Sequence, residues 1–330
     1  MQRITVLVTR PIQNKIFTEE QLKKLGELGV LSLYDRDDFA DRKHVLDFVK
    51  DSNVIITSWQ TPMLDNEILD LCPELLGVIH GAGSVKDVIG DDVIQRELRV
   101  TASANEISRG VAETTLGIAI AACKGFFWLP QESRDGLWRE NFCKVTDFYG
   151  LKIGVIGAGY AGRHFIKLLK SFCVEILVYD PYVPAEQIIF LGAEKLELDA
   201  LMSQCDVISV HAPSIPETDN MINRNNLKLL KEGAVLINTS RGSLINEEDL
   251  IAECKKRNIT AVLDVTAPEP PAQDSELRKL PNIHLLQHTA GVTNNGSKRI
   301  GRHVCEEAQR LLSGEKMKCE LDLSRLSTMA

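Results

Sequence analysis

The sequence has no C-x-x-C pair, no unbroken apolar run of membrane length, no surplus of positive charge, no internal repeat and no low-complexity stretch. Each absence excludes something. The eight cysteines, Cys72, Cys123, Cys143, Cys173, Cys205, Cys254, Cys305 and Cys319, are widely spaced. They read as reduced thiols in a cytoplasmic protein, not as disulfides or a zinc site, and no metal is expected. The longest apolar tract, residues 111–129, is broken by Glu113 and Lys124; it reads as a long buried helix and not as a membrane span. Residues 1–9 form a short apolar run that stops at Arg10 and Pro11, which suits a first strand and not a signal peptide. A formal net charge of −8 argues against a nucleic-acid binder or a binder of anionic membranes. An anionic small molecule stays open, because local charge decides that.

What is present starts at residues 151–180. Lys152 to Ile156 is a short apolar run fit for a buried parallel strand. Gly157-Ala158-Gly159-Tyr160-Ala161-Gly162 follows, a G-x-G-x-x-G. Phe165, Ile166, Leu168 and Leu169 come next at helical spacing, then a second apolar run closed by Asp180. Gly157 permits the tight turn, Gly159 lets a pyrophosphate approach the backbone, and Gly162 lets the helix sit close to the strand. The helix start offers N–H groups to phosphate. Asp180, about twenty residues on, suits an adenosine ribose diol and repels a 2′-phosphate, so NAD is favoured over NADP.

The 330 residues, 44% hydrophobic and 25% charged, leave room for two ordinary globular domains. Apolar runs at 4–9, 30–34, 54–57, 75–79 and 98–102 alternate with helical patterns at 18–28, 41–50 and 65–71. That alternation predicts a parallel sheet with covering helices. A helix over 106–124 leads out of this domain. After the Gly-rich unit, strands are predicted at 206–210, 234–238, 260–263 and 284–287, with helices at 197–203, 224–230 and 247–257 and a last one at 302–312. The fold class is α/β, with two doubly wound parallel-sheet domains.

The later strands each end on something polar: His211-Ala212-Pro213, Thr239-Ser240-Arg241-Gly242, Asp264 with Glu269 beyond it, and His288. In doubly wound sheets ligands bind outside the carboxyl ends of the strands. An Arg, an acid and a His there suit hydride transfer to a carbonyl carbon. His288 would move the proton, Glu269 would take the other imidazole N–H, and Arg241 would fork onto a carboxylate. That set fits a 2-oxo acid reduced to a 2-hydroxy acid. Singly, each also reads as an ordinary structural residue. In the first domain, His80-Gly81-Ala82-Gly83-Ser84 reads either as a turn presenting N–H groups to a ligand or as a plain strand-to-helix turn.

With these segments in order, the chain resembles the D-isomer-specific 2-hydroxyacid dehydrogenase family over nearly its whole length. The resemblance rests on Gly157 to Gly162 with Asp180, His211-Ala212-Pro213 with Glu217-Thr218, and residues 237–242. Residues 247–250, Leu263-Asp264-Val265 with Glu269-Pro270, and His288-Thr289-Ala290-Gly291 complete it. It implies a Rossmann NAD-binding domain, residues 106–291, inserted in a flavodoxin-like substrate domain, residues 1–105 and 292–330. It implies catalytic roles for Arg241, Glu269 and His288. Cofactor contacts would come from the Gly-rich turn, Asp180, His211, Ala212, Pro213, Thr218, Thr239, Ser240, Asp264 and His288. Gly81, Ala82, Gly83 and Ser84 would bind the substrate carboxylate, with Arg241. A homodimer joined through the cofactor domain is implied as well.

The chain departs from the family pattern in places. Leu286-Gln287 stands where Thr-Pro is usual, Lys86 lies just past the Gly-rich substrate turn, and residues 102–110 lack the usual Asn-x-Pro-Gly. The regulatory domain of many phosphoglycerate-directed members is not expected. Two other readings share the scaffold: an NAD(H)-responsive binding or corepressor-like protein, and a dehydrogenase of a different donor such as formate or phosphite.

Overall fold

Short apolar strands separated by amphipathic helices build parallel sheets covered on both faces. In the computed structural model, which describes residues 1–328, the chain forms two such units. One comprises Met1–Ile107 and the residues from Val292 onward; the other comprises Ser108–Gly291.

The first unit holds β1 (Arg3–Val6), β2 (Val30–Leu33), β3 (Val54–Thr57), β4 (Gly77–His80) and β5 (Arg99–Ala102). All pairs are parallel, in the order β2-β1-β3-β4-β5. β3 and β4 are buried throughout, while β2 at the edge is partly exposed. The first strand stops at Val6, short of the expected Thr9, and Arg10–Ile16 is a helix with Pro11 in its first turn. Proline's fixed φ suits a helix start, where its missing N–H removes no bond. The next helix, Glu19–Leu28, opens on a capping box between Thr18 and Gln21.

The helix Ser297–Leu312 starts five residues before the expected 302 and packs on the two N-terminal helices and β4. A Cβ at Gly301 would lie 2.3 Å from the Ile16 carbonyl oxygen, so only glycine allows that approach. By its residue types alone the segment beyond the helix suits a short polar tail. It runs antiparallel along the free edge of β5, with Thr101 bridged to Glu320 and the Leu321 N–H on the Val100 carbonyl at 2.8 Å. Arg99 grips both Glu320 oxygens at 2.8 Å. Glu307, fully buried, accepts from Thr101, Arg310 and the Lys318 and Cys319 N–H groups.

The second unit holds β6 (Lys152–Ile156), β7 (Glu175–Tyr179), β8 (Glu194–Lys195), β9 (Val207–Val210), β10 (Val235–Asn238), β11 (Thr260–Leu263) and β12 (Ile283–Leu285). All are parallel, in the order β12-β11-β10-β9-β6-β7-β8. Two apolar layers sandwich the sheet. Leu201, Met202, Leu227 and Leu250 belong to one; Ala119, Phe165, Ile166 and Leu169 belong to the other. The exit helix spans Ala104–Cys123 and ends before Gly125, whose φ is +70°. Among the described residues no helix is long and apolar enough to cross a membrane. All eight cysteines are free thiols.

Candidate active site

The turn after β6 is built from contacts that only glycine tolerates. Gly157 has φ +97°, and a Cβ there would meet the Ala212 nitrogen at 2.7 Å. A Cβ on Gly162 would stand 2.0 Å from the Gly157 carbonyl oxygen. Gly159 differs: nothing lies within 4 Å of the place its Cβ would take. That glycine precedes the helix Tyr160–Leu169, and no side chain caps the helix start. The open space and the uncapped N–H groups fit a pyrophosphate. Tyr160 is exposed and Ala161 partly buried at that helix start.

Asp180, at the end of β7, is nearly buried. Its carboxylate accepts the Ala158 N–H at 2.8 Å, the Tyr182 N–H at 2.9 Å and the Val183 N–H at 3.0 Å. It therefore ties the Gly-rich turn to the loop after β7, and one acceptor position remains for a ligand hydroxyl. His211, after β9, is buried against Phe165, with Nε2 3.0 Å from the Ser209 hydroxyl. Burial pushes its pKa down to about 3, so the ring is neutral. Its Nδ1 is buried with no hydrogen-bond partner among the described residues. Ala212 is buried, and the Thr218 hydroxyl donates to the Pro213 carbonyl at 2.6 Å, pinning the loop that His211 starts.

The ends of β10, β11 and β12 are neighbours along one sheet edge. Asn238, buried at the end of β10, donates to the Arg241 carbonyl at 2.8 Å and accepts the Ser240 N–H at 3.0 Å. The Ser240 hydroxyl donates to the Val210 carbonyl, and the Thr239 hydroxyl lies 3.1 Å from that of Thr115. These bonds hold the turn, and the exposed Arg241 guanidinium donates to the Ser240 carbonyl at 2.7 Å. Among the described residues no carboxylate pairs with it. Gly242 packs on the Thr266 backbone, where a Cβ would come within 2.1 Å.

Asp264, buried at the end of β11, accepts the Thr289 N–H at 2.9 Å and the Ala290 N–H at 3.0 Å. Its carbonyl accepts the His288 N–H at 2.8 Å. Three bonds thus fix the turn in which His288 sits at φ +53°, a conformation uncommon for a residue with a side chain. In that pose His288 Nδ1 lies 2.8 Å from Glu269 Oε1, which leaves Nε2 as the ring atom available to a ligand. The His288 side chain is 48% exposed, so the pair is reachable. A pocket of about 440 Å³ opens beside it, bounded by Thr266, Pro271, Arg278, Leu286 and Gln287.

In the first unit the Gly81 N–H is taken by the Thr57 carbonyl at 2.7 Å. The N–H groups of Ala82, Gly83 and Ser84 have no partner among the described residues. His80 is a core residue: it is 1% exposed, its Nδ1 shares a hydrogen bond with the Thr57 hydroxyl, and burial pushes its pKa down to about 4. In the sequence Asn238 figures only as a strand end within residues 237–242, with no role of its own, and Thr115 does not figure at all. A polar residue ending a buried apolar strand was the available signal for the first. Nothing local marks the second.

The comparisons with known proteins identify the family. Residues 116–290 match the family model described as D-isomer specific 2-hydroxyacid dehydrogenase, NAD binding domain. The chain is 30% identical to a D-3-phosphoglycerate dehydrogenase of Methanocaldococcus jannaschii over 94% of its own length. It spans 58% of that relative's length. It is 28% identical to a glyoxylate reductase of Korarchaeum cryptofilum, covering 94% of this chain and 93% of that protein. Among solved structures, a phosphoglycerate oxidoreductase from Rhizobium etli superposes with a TM-score of 0.82 at 22% identity, covering 97% of this chain and 98% of that one. That likeness speaks for the fold.

Proposed function

The chain belongs to the D-isomer-specific 2-hydroxyacid dehydrogenase family, and from that premise we propose that it is an NAD-dependent oxidoreductase of a small 2-oxo or 2-hydroxy acid. The observation that carries the reading is the His288–Glu269 pair, 2.8 Å apart at the end of β12, on the same sheet as the Gly-rich turn. NAD, when bound, supplies or accepts the hydride. The space at Gly159 and the uncapped helix start take its phosphates. Asp180 takes the ribose diol on its remaining acceptor position.

His288 Nε2 gives a proton to the substrate oxygen during reduction and removes it during oxidation. Glu269, bonded to Nδ1, orients the ring and offsets its charge when Nε2 is protonated. Asp264 keeps the His288 turn in place through the Thr289 and Ala290 N–H groups and has acceptor positions left for an amide. Arg241, unpaired with any described carboxylate, forks onto the substrate carboxylate. The Ala82, Gly83 and Ser84 N–H groups suit a carboxylate too.

The test is NADH oxidation with glyoxylate, hydroxypyruvate, pyruvate and larger or acidic 2-oxo acids. His288→Gln should lower kcat by roughly 100-fold or more while NADH binding persists. Absence of turnover on every acid, with NADH bound, would sink the reading. No observation favours a purely regulatory role.

We also propose a homodimer joined through the second unit. Phe126, Trp138, Phe142 and Tyr149 are all exposed within one 24-residue segment, Trp138 to 79%. Large exposed aromatics concentrated in this way mark a covered face. Light scattering should give twice the chain mass, and Trp138→Ser with Phe142→Ser should give a monomer. A monomeric wild type at micromolar concentration would refute it.

A further inference from the structure

We propose that the carboxyl edge of the first sheet carries a second anion subsite, at Lys15 and Trp59, which selects 2-oxo acids bearing a second negative group. This rests on the 2-oxo acid reading above and adds the substrate class to it.

The sheet order β2-β1-β3-β4-β5 reverses direction between β1 and β3. Open parallel sheets bind ligands at such a reversal, outside the carboxyl ends of the strands, because the two connections leave in opposite directions and open a crevice. Lys15 belongs to the helix that follows β1, and Trp59 lies two residues past the end of β3. They flank the reversal. The Lys15 ammonium stands 5.8 Å from the centre of the Trp59 ring, an attraction that holds the long side chain over the indole. The turn after β4 adjoins them. Ser58 donates to the Gly81 carbonyl at 2.8 Å, and a Cβ at Gly81 would touch Ile16.

Among the described residues no carboxylate pairs with Lys15. The neighbouring Lys298 ammonium is held by the Asn14 and Phe17 carbonyls at 2.7 and 2.6 Å, again without an acid. In a chain of net charge −8, two lysines with no acid partner among the described residues, in the same unit as the turn whose Ala82, Gly83 and Ser84 N–H groups have no partner there either, make an anion-seeking edge. The amide-rich turn suits one carboxylate, and Lys15 over Trp59 suits a second anion at the far end of the same molecule. The flat indole serves as the wall along the carbons between them.

The experiment compares oxaloacetate, 2-oxoglutarate and hydroxypyruvate phosphate with 2-oxobutyrate and 2-oxovalerate, in wild type, Lys15→Ala and Lys15→Arg, with NADH. Wild type should favour the doubly charged acids. Lys15→Ala should raise their KM by about fivefold, leave kcat unchanged and leave the singly charged acids untouched; Lys15→Arg should restore most of the preference. An unchanged preference in Lys15→Ala, or a wild type that favours the singly charged acids, overturns the subsite. Thermal shift with 2-oxoglutarate against 2-oxobutyrate separates this from failure of the dehydrogenase reading. With no turnover at all, a stabilisation by 2-oxoglutarate that Lys15→Ala abolishes still supports the subsite, and equal shifts in both proteins overturn it.

Discussion

Two glycines three positions apart, Gly159 and Gly162, show how single atoms divide labour between folding and binding. A Cβ at Gly162 would collide with the Gly157 carbonyl at 2.0 Å, whereas one at Gly159 would meet nothing within 4 Å. Gly162→Ala should therefore destabilise the second unit by roughly 1–3 kcal/mol through overpacking. Gly159→Ala should melt like the wild type and yet bind NADH more weakly, because its methyl would occupy the space left for pyrophosphate. Denaturant titration beside NADH fluorescence titration reads both outcomes. Equal effects of the two substitutions on stability would contradict this division. Asp180 combines both tasks. Three of its acceptor positions serve the chain's own N–H groups, so it is a structural tie as well as the expected ribose contact.

At the scale of elements, the His288 turn carries the clearest departure from its family. Gln287 stands where proline is usual. The Leu286 and His288 N–H groups are bonded to Leu263 and Asp264, but the Gln287 N–H has no partner among the described residues. Gln287 is also absent from the positive-φ positions. Gln287→Pro thus removes no hydrogen bond. It should stabilise the protein by roughly 0.4–1 kcal/mol by restricting the unfolded chain, with NADH oxidation retained. A loss of stability in urea denaturation would show that the turn cannot accept proline.

The elements also show what a local pattern can and cannot say. The Gly-rich turn, Asp180 and the polar strand ends were legible because each depends on residues close in sequence. The helix Arg10–Ile16 was not. Leu7 and Val8 are buried like strand residues, and an apolar run does not say where the sheet ladder stops. β8, only two residues long, leaves no period to detect. Thr115 meets Thr239 across 124 positions, and Glu320 grips Arg99 across 221. Pairings of that reach have no local signature, so nothing in the segment after Leu312 marks its place along β5.

For the molecule as a whole, buried histidines set the acid limit. Burial lowers the pKa of His80 to about 4 and of His211 to about 3, and shifts His284 and His303 in the same direction. The unfolded chain titrates these rings near 6.5. Below that pH the unfolded state binds protons that the folded state refuses. The stability these groups contribute is complete above about 6.5 and is lost as pH falls toward the folded values. Each such ring adds a slope of about 1.4 kcal/mol per pH unit in that window. Urea titrations at pH 7.5, 6 and 5 should show the decline before most carboxylates protonate, and His80→Gln with His211→Gln should flatten it. A stability that is level between pH 7.5 and 5 would contradict the burial of neutral rings.

The strip of chain along β5 has a consequence for how the protein is made. The first sheet needs Glu320 and Leu321 to cover its open edge, and it needs Ser297–Leu312 to cover one face. Both arrive only after the whole of Ser108–Gly291 has been synthesised. The inserted unit owns all its strands in one stretch and can fold as the chain emerges; the unit that begins the chain must wait for the far end. Contacts of such long sequence separation form slowly, and until they do β5 is an unpaired edge open to other chains. The expected hazard during production is therefore aggregation through the first unit.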